Sequence, residues 1–275
     1  MTAVTATTAA PAVRSAGFGR LVQSEWTKIR SVRSTGWSLA LLAVLFPGLM
    51  PVFVGMAVSD WEHMNPVDRA AIVADPAGFM LGSGFLTSQP VICVLGVLVI
   101  ASEYSTGMIR SSLLAVPRRL PMLAAKSVVF FVVVFVVSVV ASFVAFSIGA
   151  AMLQEKVPVS LGDPGVLRAV IGGGLYLALL GVFSLAIGAL VRHTAAGISI
   201  VIGFVLVLAP LAATLPGKAG DYIHAYLPTE AGLLIGQAKQ GANDLLTPWQ
   251  GFGVFVLWTA VLMIIAAVLL KRRDA

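Results

Sequence analysis

Residues 127–152 read "SVVFFVVVFVVSVVASFVAFSIGAAM", a run without any Asp, Glu, Lys or Arg. Roughly 20 apolar residues, in a helix that rises about 1.5 Å per residue, cross a hydrocarbon core of about 30 Å. The strands of a membrane barrel would instead alternate apolar and polar side chains over about ten residues. Because this run is apolar on every side, and because its length outweighs the preference of valine for strands, it predicts a transmembrane helix.

Five further stretches longer than 20 residues also lack charged side chains. They cover residues 34–59, 76–102, 169–191, 193–217 and 245–270. Only 11% of the chain is charged, whereas about a quarter is usual in soluble domains. We therefore predict an all-α membrane protein with six transmembrane helices. Its predicted spans are residues 37–58, 85–101, 127–152, 168–191, 196–215 and 251–270.

The distribution of basic residues predicts how these spans are oriented. Six spans place both termini on one side, which holds thirteen of the 18 Lys and Arg residues, while the other side holds five. Loops rich in Lys and Arg remain in the cytoplasm, so we predict that both termini are cytoplasmic. The net charge of +6 then reflects topology, and we expect no nucleic-acid partner.

The segments outside the spans also have characteristic patterns. Residues 1–16 predict a disordered cytoplasmic tail, and residues 271–275 a basic cytoplasmic tail. Residues 216–250 form an extracellular segment that could hold one or two short amphipathic helices, broken at Pro228 and Gly241.

The sequence before the first span predicts a helix lying in the membrane interface. In residues 17–36, apolar side chains recur at intervals of three and four residues, and basic side chains occupy the rest of the helix surface. Trp26 belongs to the apolar face, while Lys28 and Arg30 are basic residues of the opposite face. This combination is typical of amphipathic helices that contact lipid headgroups.

One cytoplasmic loop, residues 102–126, concentrates the charge that the spans lack. It reads "SEYSTGMIRSSLLAVPRRLPMLAAK". A short helix could begin near Gly107 and end at Pro117, with Ile109 and Leu113 on one side and Arg110 elsewhere. Such a helix between two spans could act as a lever. The simpler interpretation is that this loop is basic only because cytoplasmic loops carry an excess of Lys and Arg.

Several chemistries have no candidate residues in the sequence. No Asp, Glu, Lys or Arg lies in the interior of any predicted span, so proton coupling has no obvious carrier. Three scattered histidines and a single cysteine do not form a metal-ligand pattern. The phosphate-binding pattern GxxxxGK[ST] is absent as well. We therefore expect no catalytic, metal or cofactor site, and any ATP must be bound by another chain.

The loop resembles that of ABC-2-type permeases, the membrane subunits of certain bacterial ABC exporters. The positions that match the family's pattern are Glu103, Gly107, Leu113, Leu114, Pro117, Arg119 and Lys126. Met108 stands where the family usually has Thr. The stretch "SEWTKIRSVRSTGW" also resembles the family's N-terminal interfacial helix.

This resemblance implies an ATP-driven exporter in the bacterial cytoplasmic membrane. In the family, two permease chains, identical or different, form the translocation path, and a separate ATPase binds ATP and Mg. The loop docks on that ATPase, and short helices in a segment such as 216–250 close the exit. The implied coupling residues are Glu103, Gly107, Ile109, Arg110, Leu113, Pro117 and Arg119.

Two other functions remain open from the residues alone. An ion-driven secondary transporter would work without a nucleotide-binding partner. A non-transporting membrane subunit would anchor a sensor or an envelope enzyme. The spans offer Ser, Thr, Gly, Phe and aliphatic side chains, which suit lipids, hydrophobic drugs, antibiotics or peptides better than a highly charged cargo.

Overall fold

A computed structural model describes residues 17–108, 119–241 and 243–272. The elements within these ranges are helical. We label them α1 (Phe18–Ser31), α2 (Arg33–Ser59), α3 (Pro66–Ala74), α4 (Pro76–Ser105), α5 (Arg119–Leu153), α6 (Val166–Val191), α7 (Thr194–Ala212), α8 (Gly217–Tyr226), α9 (Pro228–Leu233) and α10 (Pro248–Arg272).

Six helices in the described part of the chain are long and apolar enough to cross a membrane. They are α2, α4, α5, α6, α7 and α10. The predicted all-α fold with six membrane-crossing helices is therefore confirmed. Because successive spans run in opposite directions, the bundle has two distinct ends. The near end holds α1, the end of α4, the start of α5 and the end of α10. The far end holds α3, α8, α9 and the connection 154–165.

The helix α6 lies at the centre of the bundle. Its most apolar stretch is 83% buried, compared with 22% for α10, and it packs against both α4 and α5. Close approach depends on small residues, as is usual between membrane helices. A Cβ atom on Gly96 of α4 would come within 2.7 Å of the Ser184 Cβ on α6. This crossing therefore requires glycine.

A row of aromatic side chains joins four helices through the core. The ring centroids of Phe46 on α2 and Phe85 on α4 are 5.6 Å apart. Phe85 lies 5.3 Å from Tyr176 on α6, and Tyr176 lies 5.8 Å from Phe255 on α10. Aromatic pairs at such distances each contribute about 0.5–1.5 kcal/mol beyond the area that they bury.

Two helix boundaries differ from the predicted segments. The helix predicted over 17–36 is divided at Val32, which has an extended backbone (φ −82°, ψ 109°) between α1 and α2. The helix that contains the second predicted span begins at Pro76, nine residues before residue 85. It begins there because the Asp75 side chain accepts a hydrogen bond from the Gly78 backbone at 2.9 Å, which caps the helix.

The described part of residues 216–250 forms short helices at the far end. The helices α8 and α9 meet at Leu227, directly before Pro228, and α9 continues as a 3-10 turn through Gly236. The next helix, α10, begins at Pro248. Gly232 of α9 packs against the ring of Phe255 on α10, so α9 is held against the last membrane-crossing helix.

Candidate functional site

Four charged side chains from three helices meet at the near end of the bundle. We call Glu25, Lys28, Glu103 and Lys126 the near-end charge cluster. The Lys126 ammonium lies 2.7 Å from Glu25 Oε2 and 2.8 Å from Glu103 Oε1. The Lys28 ammonium lies 2.7 Å from Glu25 Oε1 and 3.2 Å from Glu103 Oε1. Each ammonium therefore bridges both carboxylates.

The helices position these groups through their local sequence. In α1, Glu25 lies one turn after Leu21 and one turn before Ile29, and all three face the protein interior. Glu103 occupies the last turn of α4, and Lys126 lies in the early turns of α5. The segment that links α4 to α5 therefore has a member of the cluster on each side.

Three members of the cluster are almost completely buried. Glu25 is 3% exposed, and Glu103 and Lys126 are each 2% exposed, while the Lys28 side chain is 28% exposed. Formal charges of +2 and −2 cancel within the cluster. Removing one partner from a buried ion pair is expensive because it leaves an uncompensated charge away from water. The cluster therefore holds α1, α4 and α5 in a fixed relation.

The pKa values of Glu25 and Lys28, both on α1, are shifted by this environment. Burial by itself would raise the pKa of Glu25, but the ammonium groups of Lys126 and Lys28 outweigh it, and the pKa lies below its ordinary value. Burial by itself would lower the pKa of Lys28, but the carboxylates of Glu25 and Glu103 outweigh it, and the pKa lies above its ordinary value. Both shifts favour the charged forms.

The cluster retains unused capacity to accept hydrogen bonds. Oε2 of Glu103 is buried and has no hydrogen-bond partner among the described residues. A small cavity of about 70 Å³ adjoins the cluster and is also lined by the hydroxyl-bearing residues Ser34, Thr35 and Ser102. A carboxylate oxygen in this position can accept a hydrogen bond from a further donor.

The structure describes only part of the predicted loop site. Glu103 belongs to the near-end charge cluster. Gly107 follows the end of α4 with φ +71°, a left-handed conformation that glycine adopts without strain. Arg119 is the first residue of α5.

The remaining predicted loop residues, Ile109, Arg110, Leu113 and Pro117, lie outside the described residues. At the end of α4, the guanidinium of Arg192 lies 5.1 Å from the centre of the Tyr104 ring. This contact joins the end of α4 to the turn between α6 and α7. The end of α4 is therefore in contact with this turn through Tyr104 and with α1 and α5 through Glu103.

The predicted residues of the interfacial helix divide between two environments. Trp26 is 46% exposed, and Arg30 is also exposed. Lys28 instead turns toward the bundle, where it pairs with Glu103, 75 positions away in sequence. It therefore contributes to helix packing, in addition to belonging to the basic face predicted for α1.

Glu25 was not predicted for the site, and Lys126 was recognised only as a position that matches the family's loop pattern, without a coupling role. A signal for Glu25 exists in the sequence, since it interrupts the apolar stripe between Leu21 and Ile29 at four-residue spacing. A carboxylate in that position needs a cation from another element. Lys126 is the basic residue nearest the start of the long apolar run 127–152. The pairing itself depends on the tertiary fold.

Among the described residues, no group of three or more His, Cys, Asp or Glu side chains is arranged to hold a metal ion.

Comparison with protein families identifies the family of this chain. The sequence pattern of the family described as "ABC-2 family transporter protein" matches residues 21–210. The matched region includes the whole near-end charge cluster. A comparison with curated proteins found no match.

Proposed function

Because this chain belongs to the ABC-2 family of transporter proteins, we propose that it is the permease subunit of an ATP-driven exporter. As a member of that family, it is a membrane permease of an ABC transporter and a transport subunit rather than an enzyme. Permeases of this family associate with an ABC ATPase. The proposal adds that a separate chain binds and hydrolyses ATP with Mg, and that two permease chains form the translocation path.

The proposed orientation places the near end in the cytoplasm of a bacterium. Support comes from the distribution of charge, since thirteen Lys and Arg residues fall on the side of the termini and five on the other. The near end is also where the segment between α4 and α5 emerges. An ATPase on the cytoplasmic side would therefore meet this segment first.

The near-end charge cluster is the observation that carries the proposed coupling mechanism. Glu103 in α4 and Lys126 in α5 lie at the two ends of the loop, and their side chains are 2.8 Å apart. A force applied to the loop would therefore act on α4 and α5 together. Because Glu25 binds the same ammonium at 2.7 Å, α1 would move with them. The proposed role of the cluster is to make these three helices respond as one unit.

The loop residues have proposed roles within this mechanism. Ile109 and Leu113 would give apolar contacts to the ATPase, and Arg110 a polar contact. Gly107 supports the proposal because its φ of +71° permits a sharp change of direction directly after α4.

The decisive experiment asks whether an ATPase binds to this loop. The tagged full chain would be purified in a mild detergent from its native membrane, beside the double variant Arg110→Ala and Leu113→Ala. A matched control carries Lys218→Ala and Leu215→Ala, an exposed cation and an exposed leucine at the far end.

We expect an ATPase to co-elute with the original chain and the control but not with the loop variant. Absence of an ATPase from the original chain would contradict the proposed ATP-driven export. Undiminished ATPase binding by the loop variant would contradict the docking site.

A further inference from the structure

A groove between α4, α7 and α9 is lined by apolar side chains together with a few polar ones. Its volume is about 480 Å³, within the range of small-molecule sites. Apolar side chains form most of its walls, with Phe85 and Leu86 from α4, Val205 and Leu206 from α7, and Leu233 from α9. Val205 and Leu206 lie in a π-helical section, Gly203–Leu208, and such sections often occur at functional sites.

Three polar side chains also line this groove, and one of them has an unused hydrogen-bond acceptor. Gln89 lies near the middle of α4 and is 8% exposed. Oε1 of Gln237 is buried without a partner among the described residues. Because an unpaired amide oxygen in an apolar environment is costly, Gln237 indicates that a hydrogen-bond donor of a ligand enters the groove.

The third polar group gives the groove its charge. Glu230 is the one ionisable residue in the groove lining that the structure describes. Its carboxylate is 3.4 Å from His224 Nε2, and its side chain is 21% exposed. Burial raises the pKa of Glu230, and His224 opposes this effect. A positive ligand group beside Glu230 would compensate the buried carboxylate.

The groove continues toward a larger cavity whose lining, like that of the groove, carries a net negative charge. Gly78 and Gln237 line both the groove and a far-end cavity of about 1050 Å³. The described lining of that cavity contains four aspartates and one lysine. A positively charged headgroup that leaves the groove past Gln237 would therefore remain in favourable surroundings.

We propose that this groove binds an amphiphilic molecule bearing a primary amine, with the ammonium beside Glu230 and the apolar part against α4 and α7. The proposal rests on the export function given above and names its substrate class. Gln89 and Gln237 contact polar atoms near the amine, and the aromatic and aliphatic side chains contact the hydrocarbon. A cargo with one positive charge is consistent with the absence of other ionisable groups from the described groove lining.

The test uses the full chain in nanodiscs of zwitterionic lipid, without ATPase and without ATP. Two probes are compared, a pyrene-labelled long-chain primary amine and its N-acetylated form, which keeps the chain but lacks the charge. Binding is followed by energy transfer from protein tryptophan to pyrene. The variants are Glu230→Gln, Glu230→Asp and Gln89→Leu. The matched control is Glu62→Gln, which changes an exposed far-end carboxylate paired with Lys156.

We expect the original chain to bind the amine about tenfold more tightly than the amide, as one charge-assisted hydrogen bond predicts. Glu230→Gln should abolish that preference, Glu230→Asp should retain part of it, and Glu62→Gln should leave it unchanged. Gln89→Leu should weaken binding of both probes while preserving the preference, which keeps the test informative if Glu230→Gln does not fold.

Equal binding of the two probes by the original chain would overturn the proposal, as would binding of neither. A preference retained in a folded Glu230→Gln variant would also overturn it. Because the assay contains no ATPase, its outcome is separate from the co-purification test of the permease function. A bound ATPase with no amine preference would reject only the substrate class.

Discussion

The ammonium of Lys126 lies 2.7 Å from Oε2 of Glu25, although 101 positions separate the two residues in the sequence. The same ammonium lies 2.8 Å from Oε1 of Glu103. Since these three side chains are almost completely buried, their charges are screened weakly by water and salt. The contact between α1 and the membrane-crossing bundle is therefore electrostatic as well as apolar.

Replacing Lys126 should destabilise the protein strongly. In Lys126→Met, only Lys28 remains to compensate the buried carboxylates of Glu25 and Glu103. Breaking a buried ion pair in this way costs about 3–5 kcal/mol. Thermal unfolding in detergent, followed by circular dichroism, should show a clearly lowered Tm. The control is Lys156→Met, because its pair with the largely exposed Glu62 is screened by water and should contribute little to stability. Equal Tm values for the two variants would contradict the role of the cluster.

Stability should fall in acid, and Glu25 should contribute to that fall. The pKa of Glu25 is lowered in the folded protein from an ordinary value of 4.5. Its stabilisation is therefore complete above about pH 4.5 and is lost as the pH falls through the lower folded value. Lys28 behaves oppositely, since its pKa is raised above 10.5, and its contribution is lost only in strong base.

Glu25→Gln provides the measurement for this pH dependence. Its Tm between pH 3 and pH 6 should change less steeply than that of the original chain. Glu62→Gln serves as a control because Glu62 is exposed and outside the cluster. Identical acid slopes for the original chain and Glu25→Gln would exclude the proposed ion pairing of Glu25.

The six membrane-crossing helices could be predicted because their signal is local. A run such as 127–152 is longer and more apolar than any soluble element requires. The beginning of α4 at Pro76 was predicted less well, because it depends on the side chain of Asp75 as a cap. The pairing of Glu25 with Lys126 could not be predicted from spacing, since it depends on how α1 folds back onto α5. Gln89 was not predicted to line a binding groove, because its neutral amide leaves the stretch 76–102 free of charge and therefore does not interrupt the predicted span.

Asp75 should hold the far-end segment against the bundle. Besides capping α4, its carboxylate accepts hydrogen bonds from the backbone of Ala238 at 2.9 Å and Lys239 at 3.3 Å. Asp75→Ala removes all three bonds, and loss of the cap alone costs about 1 kcal/mol. Amide hydrogen exchange should therefore accelerate in residues 236–239 and in the first turn of α4. Asp68→Ala, in the first turn of α3, should leave exchange in residues 236–239 unchanged, and an equal effect of both variants would argue against this anchoring role.

If the near-end charge cluster transmits the action of the ATPase, removing its two members on α1 should uncouple α1 while the complex stays intact. The suitable change is the double variant Glu25→Gln and Lys28→Met, which removes both ion pairs between α1 and the spans, while Lys126 and Glu103 still join α4 to α5 at 2.8 Å. In the original complex, trapping nucleotide with vanadate should change hydrogen exchange in α1, since α1 moves with the two spans.

In this double variant, we expect the ATPase to co-elute normally and the nucleotide-dependent change in α1 to be lost, while the corresponding change in α4 remains. Glu62→Gln should behave like the original complex. A nucleotide-dependent change in α1 that survives in this double variant would mean that apolar contacts of Leu21 and Ile29, which are buried on the same face, are sufficient to couple α1 to the bundle.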